Sequence, residues 1–335
     1  MKTLLFFCSL IIFAGCSATS ELTNPILKKE IEPLYPYEAK VKGIEGKTEV
    51  LCLIDEEGNV SAAKVSRSSG HKILDNASID YAKILKFEPA TLNGKPLAVW
   101  VKWIINYKLT SVDISREKIK VLLFSKANGF KHESISAGKT ALVKLASENN
   151  FHIDITEDST KFNDETLQVY DVIVFLNTTG NVLDEAGKTA FINFIHNKGG
   201  FAGIHSCTDM EKDWEWYGNM IGTRFKDHPE VQKAVIWITN KNHPSTKELP
   251  YKWARVDEWY NYTNDLPDNI KVLATVDEST YEGGTAGKYH PFCWYHEYEG
   301  GRCWYTSGGH TIESYSDPLF MNHILGGIKY AAGIE

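Results

Sequence analysis

From residue 37 to residue 109 the apolar and polar positions follow short patterns. Tyr37 to Lys42 is amphipathic, and Gly43-Ile44-Glu45-Gly46 reads as a turn. Thr48 to Asp55 alternates as a half-buried strand does, Glu56-Glu57-Gly58-Asn59 signals a tight turn, and Val60 to Ser66 supplies a partner strand. Leu74, Ala77, Tyr81, Ile84 and Leu85 recur at helical spacing, which predicts a helix over Leu74 to Lys86. Phe87-Glu88-Pro89-Ala90 breaks that helix, Asn93-Gly94-Lys95-Pro96 turns, and Leu97 to Leu109 is a long final strand. Ser111 to Glu117 is polar and reads as a linker. Beyond it strands alternate with helices: Ile119 to Phe124, helix Ser134 to Asn149, Phe151 to Thr156, Val172 to Leu176, helix Asp184 to Asn197, and Phe201 to Ile204. This alternation predicts a mostly parallel sheet with helices on both faces, whose ligands sit beyond the carboxyl ends of the strands. The expected organisation is a leader over 1–15, a tether over 16–27, a small α+β module over 28–110, a linker over 111–117 and an α/β domain over 118–335.

Length and composition add limits. The chain has 335 residues, with 43% hydrophobic and 24% charged positions, an ordinary globular profile. Thirty-six Lys and Arg against 43 Asp and Glu give a net charge of −7, which disfavours a nucleic-acid binder. Lys2, the apolar run Leu4 to Phe13 and then Ala14-Gly15-Cys16 describe a secretory signal too short to span a bilayer. The Cys after Phe-Ala-Gly looks like a lipobox, with Cys16 as the lipidated residue that tethers otherwise soluble domains to a bacterial envelope membrane. A plain signal peptide cut near Ala18 or Ser20 is the alternative. Export permits disulfides, but the turn Tyr298-Glu299-Gly300-Gly301 sets Cys293 opposite Thr306 or Gly308 and never opposite Cys303. Cys52, Cys207, Cys293 and Cys303 therefore read as buried free thiols.

The stretches Tyr35-Pro36, Gly43-Ile44-Glu45-Gly46, Ile54 to Val60, Ser68-Ser69-Gly70-His71, Leu74-Asp75, Phe87-Glu88-Pro89-Ala90 and Asn93-Gly94-Lys95-Pro96 resemble the TonB C-terminal domain. The resemblance implies an exposed strand edge that takes up a peptide of an envelope partner by β-augmentation. The chain lacks the long Pro-rich spacer of an energy transducer, so docking or localisation is the expected role.

Three stretches after strands stand out in the second domain: Ser125 to Ser134, Gly199 to Asp209 and Gly301 to Thr311. Together with Phe225-Lys226-Asp227-His228-Pro229, His243-Pro244, Asp257-Glu258-Trp259-Tyr260 and His290-Pro291, they resemble the ThuA-like trehalose-utilisation family. That resemblance implies a flavodoxin-like layered fold of the class I glutamine amidotransferase-like type, and carbohydrate catabolism around disaccharides and their keto derivatives. In that fold a sharp strand-to-helix turn aims one side chain into the cleft. Amidotransferases put Cys there. Here the position falls on His205, with Cys207 two places later.

His205, Glu258 and His310 are the expected catalytic set. His205 and Glu258 would exchange protons at a carbon beside a carbonyl or at a glycosidic oxygen. His310 and backbone N–H groups of the turn would hold the developing oxyanion. His132 and Asp209 are candidates for substrate binding, with helix capping as the alternative. Trp259, Tyr260 and Trp294 could stack on a sugar or pack in the core. His290 could bind substrate, although His228, His243 and His290 each precede Pro and read equally well as turn architecture. Arg302 could bind substrate or pair with an acid, and His152, His196 and His323 read as structural. No cofactor is expected: the chain has neither HExxH nor a CxxC pair, so the sequence names no ligand set, and zinc stays open. A non-catalytic glycan-binding lipoprotein and a metal-dependent sugar hydrolase are the competing readings.

Overall fold

The computed structural model describes residues 21–28, 31–109 and 119–334. The leader, Cys16 and the whole linker lie outside them. The chain divides into two compact units, Met1–Ser115 and Arg116–Glu335. Among the described residues, no helix is long and apolar enough to cross a membrane.

In the first unit, β1 (Leu22–Thr23) and β2 (Ile26–Leu27) precede a short helix α1 (Tyr37–Val41). β3 (Gly46–Ile54), β4 (Val60–Arg67) and, after helix α2 (Lys72–Ile84), β8 (Val99–Tyr107) form an antiparallel sheet in the order β4-β3-β8. The short strands β5 (Phe87–Glu88), β6 (Ala90–Leu92) and β7 (Lys95–Leu97) lie between α2 and β8, and β5 and β6 take up β2 and β1. The strand alternation reflects a one-sided core: Val50, Cys52 and Ile54 of β3 are buried with Leu74, Tyr81 and Ala82 of α2. Asp75 in the first turn of α2 accepts from the Ser69 N–H at 2.8 Å, from Ser69 Oγ at 2.8 Å and from Thr48 Oγ1 at 3.1 Å. The Ser-Ser-Gly-His stretch is thereby tied to both the helix and β3.

The second unit is a layered α/β domain. Its elements are β9 (Lys120–Phe124), α3 (Ile135–Asn149), β10 (His152–Thr156), α4 (Asp164–Leu167), β11 (Val172–Leu176), α5 (Glu185–His196), β12 (Gly200–Ile204) and α6 (Glu215–Ile221). Then follow β13 (Phe225–Asp227), β14 (Gln232–Ile238), β15 (Lys252–Asp257), β16 (Asn261–Tyr262), β17 (Lys271–Asp277), β18 (His290–Tyr298), β19 (Gly301–Thr306) and α7 (Pro318–Ala331). Nine of these strands make one sheet in the order β10-β9-β11-β12-β19-β18-β17-β14-β15. The first five are parallel, and β11 and β12 are buried along their whole length, as strands covered on both faces must be. Phe191 of α5 and Tyr217 of α6 pack with Phe175, Phe201 and Tyr305 in one core. Leu142 of α3 and Ile324 and Ile328 of α7 are buried in the other helical layer. Each such side chain contributes about 1.5–3 kcal/mol on burial.

Beyond β19 the sheet continues antiparallel, an extension the alternation of strands and helices does not predict. The two-residue turn sets Cys293 opposite Thr306 and Tyr298 opposite Gly301, the first of the two registers expected. Four successive antiparallel pairings return β15 to the direction of β19, so its end at Asp257 lies on the same edge as the carboxyl ends of the parallel strands.

Helix α7 lies close against its neighbours through small residues. A Cβ on Gly326 would fall 2.3 Å from the main-chain carbon and oxygen of Pro244, atoms that cannot rotate away. Gly326→Ala is expected to destabilise the second unit by about 1–3 kcal/mol, read as a lower urea midpoint at unchanged m-value.

Candidate functional site

Every converging side chain comes from a segment that follows a strand on that one edge. His132 lies in the loop after β9, His205 begins the turn after β12, Glu258 follows β15, and His310 follows β19. Their ligand-type atoms all lie within 4.8 Å of one another. His205 has φ +56°, in the left-handed region that a non-glycine residue occupies at a cost, and this turn drives its ring inward. The segment that follows is a 3₁₀ turn, His205–Asp209, and not an α-helix.

Hydrogen bonds fix the state of the central ring. His205 Nδ1 lies 2.7 Å from the Ser307 carbonyl, which can only accept, so Nδ1 carries the hydrogen and Nε2 is turned into the site. Nε2 meets the Tyr260 hydroxyl at 3.1 Å, Glu258 Oε2 at 3.3 Å and His310 Nδ1 at 3.3 Å. His310 Nδ1 is in turn 3.2 Å from Glu258 Oε2. His132 packs edge-on against His205 and His310, with ring centroids at 4.8 and 5.1 Å. Among the described residues its buried Nδ1 has no hydrogen-bond partner.

Charge follows from this packing. Burial, reinforced by the neighbouring histidines, pushes the His132 pKa down to about 3, so the ring is neutral. Burial pushes the Glu258 carboxyl up, but the His205 and His310 rings facing it outweigh burial and hold it well below the usual carboxylate range. Burial alone would lower His310, yet the adjacent Glu258 carboxylate carries it above the ordinary imidazole range.

These atoms fit a divalent cation. His205 Nε2, His310 Nδ1 and Glu258 Oε2 form a triangle with edges of 3.3, 3.3 and 3.2 Å. A tetrahedral zinc with bonds of about 2.0–2.1 Å sets its ligand atoms about 3.3–3.4 Å apart, the same edge length. The neutral His132 ring and the ionised Glu258 carboxylate are in the states a cation requires of its ligands, a cation would displace the proton that Glu258 favours on His310, and the orphaned His132 Nδ1 marks an unmet polar demand in the cluster. The Ser307 carbonyl on His205 is the kind of outer partner that orients a ligating ring.

The site thus gathers His132, His205, Glu258 and His310 from the sequence expectations, though with His310 paired to Glu258. Tyr260 reaches His205 through its hydroxyl, but its ring is buried and stands at 4.5 Å from that of His205. For the remaining candidates the structure places the side chain away from the converging atoms or in internal contacts. Trp259 is 0% exposed with its indole N–H on the Gln232 carbonyl, and Trp294 is equally enclosed, so neither offers a face to a sugar. His290 is buried, with Nε2 on the Tyr260 carbonyl at 2.8 Å and Nδ1 on Glu278 at 2.7 Å. Arg302 stands near the start of β19, at the opposite end of that strand from His310, in a loose 4.0 Å pair with Glu297. Asp209 pairs with Lys212 at 2.8 Å and is not among the converging atoms.

Two residues outside the expected set belong to it. His228 Nδ1 lies 3.1 Å from Glu258 Oε1 and 2.9 Å from the Pro229 carbonyl, with the ring at the mouth of the site. Phe130 is 65% exposed, and its ring centroid is 4.9 Å from that of His132. Its loop is pinned: Asn128 N donates to the Thr179 carbonyl at 3.0 Å, and Thr179 Oγ1 to the Phe130 carbonyl at 2.8 Å. Two clefts of about 550 and 480 Å³ lie elsewhere, and no converging residue lines either.

Residues 120–331 match the family described as trehalose utilisation (ThuA), and residues 31–109 match the C-terminal domain of Gram-negative bacterial TonB protein. A ThuA-like protein of Bacteroides uniformis superposes with a TM-score of 0.57 at 24% identity, covering 67% of this chain and 95% of the other. One from Parabacteroides merdae gives 0.54 at 20% identity, covering 64% and 91%. These likenesses establish the fold. Protein TonB of Xanthomonas campestris pv. campestris is 35% identical over 98 residues, which are 29% of this chain and 41% of that protein. Protein TonB of Vibrio cholerae is 32% identical over 84 residues, 25% and 34% of the two chains. The chain therefore spans well under half the length of these curated relatives.

The thiols stand apart from this chemistry. Cys207 is fully enclosed in the core beside Gly203, and burial raises its pKa; burial likewise pushes Cys52 up to about 12. Iodoacetamide at about pH 8 is expected to leave Cys52, Cys207, Cys293 and Cys303 unmodified in the native protein and to label all four in denaturant, as read by mass spectrometry.

Proposed function

The chain belongs to the trehalose-utilisation family, and on that footing we propose that its second unit acts on disaccharides or their keto derivatives at a divalent-metal centre. His132, His205, Glu258 and His310 are the residues that would hold the ion. The observation that carries this reading is the triangle of two imidazole nitrogens and one carboxylate oxygen with edges of 3.2–3.3 Å. A bound ion would supply Lewis acidity toward a sugar oxygen or a water.

The protein's own groups supply the rest. The Ser307 carbonyl keeps His205 in the tautomer that turns Nε2 inward. His228 occupies Glu258 Oε1, which leaves Oε2 to face His205 and His310. His310 and His228 are the rings that reach solvent, so substrate approaches from their side, where either can exchange a proton with it. The exposed phenyl of Phe130, held by its pinned loop beside His132, offers an apolar face for the C–H side of a sugar ring.

For the first unit we infer docking of an extended peptide from an envelope partner, as its similarity to TonB suggests. β8 lies at one edge of its sheet and displays Trp100 and Ile104 on alternate positions. Main-chain pairing along such an edge supplies affinity, and alternate side chains supply selectivity. Lipid attachment at Cys16 would hold both units at the envelope.

Metal analysis of protein purified without chelator, beside product analysis on trehalose, related disaccharides and their 3-keto forms, tests the site. About one metal ion per chain, turnover lost to chelator and restored by zinc, and loss of both metal and turnover in His205→Ala at a melting temperature close to wild type are the expected results. Turnover that survives chelation returns the reading to His/Glu proton exchange alone. Saturable sugar binding without product makes the protein a glycan binder. Phe130→Ala is expected to raise KM severalfold with kcat and metal content nearly unchanged, and an unchanged KM removes the stacking role.

A further inference from the structure

We propose that Asp257 is a positioning residue that locks Glu258 and His310 against each other and thereby sets the affinity of the site for a divalent cation. The proposal rests on the metal reading above and deepens it. The Asp257 side chain is 0% exposed, and five donors surround it. Oδ1 accepts the main-chain N–H of Glu258 at 3.1 Å and that of His310 at 3.0 Å. Oδ2 accepts the Gly309 N–H at 2.9 Å, Arg255 Nη2 at 2.8 Å and Ser314 Oγ at 3.3 Å. One carboxylate therefore fastens the backbone of two segments far apart in sequence, and each carries a member of the triangle.

The surroundings make this clamp rigid. Arg255 is wedged between Trp253 and Phe320, with its guanidinium carbon 4.7 and 4.2 Å from the ring centroids, and it donates to Ser314 Oγ at 2.7 Å. Gly309 has φ +116°, a conformation that glycine reaches without strain, and this lets two successive N–H groups, of Gly309 and His310, point at the same carboxylate. The 3.2 Å contact between Glu258 and His310 is thus set through the backbone, from beneath, by a group that touches neither side chain.

An amide in this place cannot do the same work. Asn has one acceptor oxygen, so either the Glu258 and His310 N–H groups or the Gly309 and Arg255 donors would face an NH₂ group, although the volume is unchanged. Outer partners of metal ligands typically change affinity 10- to 100-fold when removed.

The test is zinc affinity of the full chain, by competition with a fluorescent chelator, beside thermal melting and far-UV circular dichroism. Asp257→Asn is expected to fold and to bind zinc about 10–100-fold more weakly, with stoichiometry unchanged. Ser314→Ala removes one bond to Oδ2 and leaves the two bonds to Oδ1, so its affinity is expected to stay within about threefold of wild type. Wild-type affinity in folded Asp257→Asn, or an equal loss in Ser314→Ala, overturns the proposal. If Asp257→Asn does not fold, Asp257→Glu keeps the charge and shifts the carboxylate by one methylene; weakened zinc binding supports the clamp and undiminished binding overturns it. If the wild type takes up no zinc, the metal reading fails by itself. The clamp is then judged by the crystal structure of the folded Asp257 variant: a Glu258–His310 contact lengthened from 3.2 Å supports it, and an unchanged one overturns it.

Discussion

An ionised carboxylate enclosed among imidazoles is the constraint around which the second unit is arranged. Removing Glu258 from water costs several kcal/mol unless positive partners or hydrogen-bond donors replace its hydration. It receives them from two sides, His205 and His310 at Oε2 and His228 at Oε1, while a second carboxylate, Asp257, accepts its main-chain N–H. Asp257 needs a counter-charge of its own, and Arg255 provides one from the same inward face of β15. The polar centre is therefore two adjoining charge systems, the one around Asp257 closed and the one around Glu258 open to solvent through His228 and His310.

The sheet exists in a form that can deliver these groups together. Five parallel strands place the loops after β9, β12 and β19 on one edge, as the rule for open α/β sheets requires. Glu258 reaches that edge only because the antiparallel extension has an even number of reversals between β19 and β15. Three reversals would have delivered it to the opposite edge. The extension is thus part of the site, although none of its interior strands contributes a converging side chain.

Legibility in the sequence followed the strength of the local signal. The strands buried on both faces, such as Val172 to Leu176, are short unbroken apolar runs, and the turn signal at 298–301 narrowed the hairpin to two registers, of which the structure has the one with Cys293 opposite Thr306. β14 and β15, which alternate exposed and buried positions, and β17, which is mostly buried, were not legible because none has a helix beside it in sequence to mark the alternation. His205 could be found because its turn aims it. Trp259 and His290 stayed open, since neither an aromatic after Asp257-Glu258 nor a histidine before Pro indicates which way its side chain points; both are packing elements with internal hydrogen-bond partners. His228 was hidden by the Pro after it, which made turn architecture an equally good account. Asp257 did leave a trace: Arg255 and Asp257 share one face of an alternating strand otherwise lined by Trp253, and two opposite charges on an inward face imply a pair with a task.

The elbow explains why histidine can replace a nucleophilic thiol without a new scaffold. A strained turn at the end of a central strand serves any side chain that must be held deep and oriented, whichever chemistry follows. With cysteine there, the turn presents a nucleophile. With His205 there, the Ser307 carbonyl takes Nδ1 and leaves Nε2 facing Glu258 Oε2 and His310 Nδ1. The displaced Cys207 supports the same conclusion from the other side, because its burial in the core removes the thiol from any reaction. The gradation of exposure then gives the site a direction: His205 and His132 lie at its floor, His310 partway up, and His228 and Phe130 at its rim. Along that line an apolar face and a solvent-reaching imidazole precede the carboxylate.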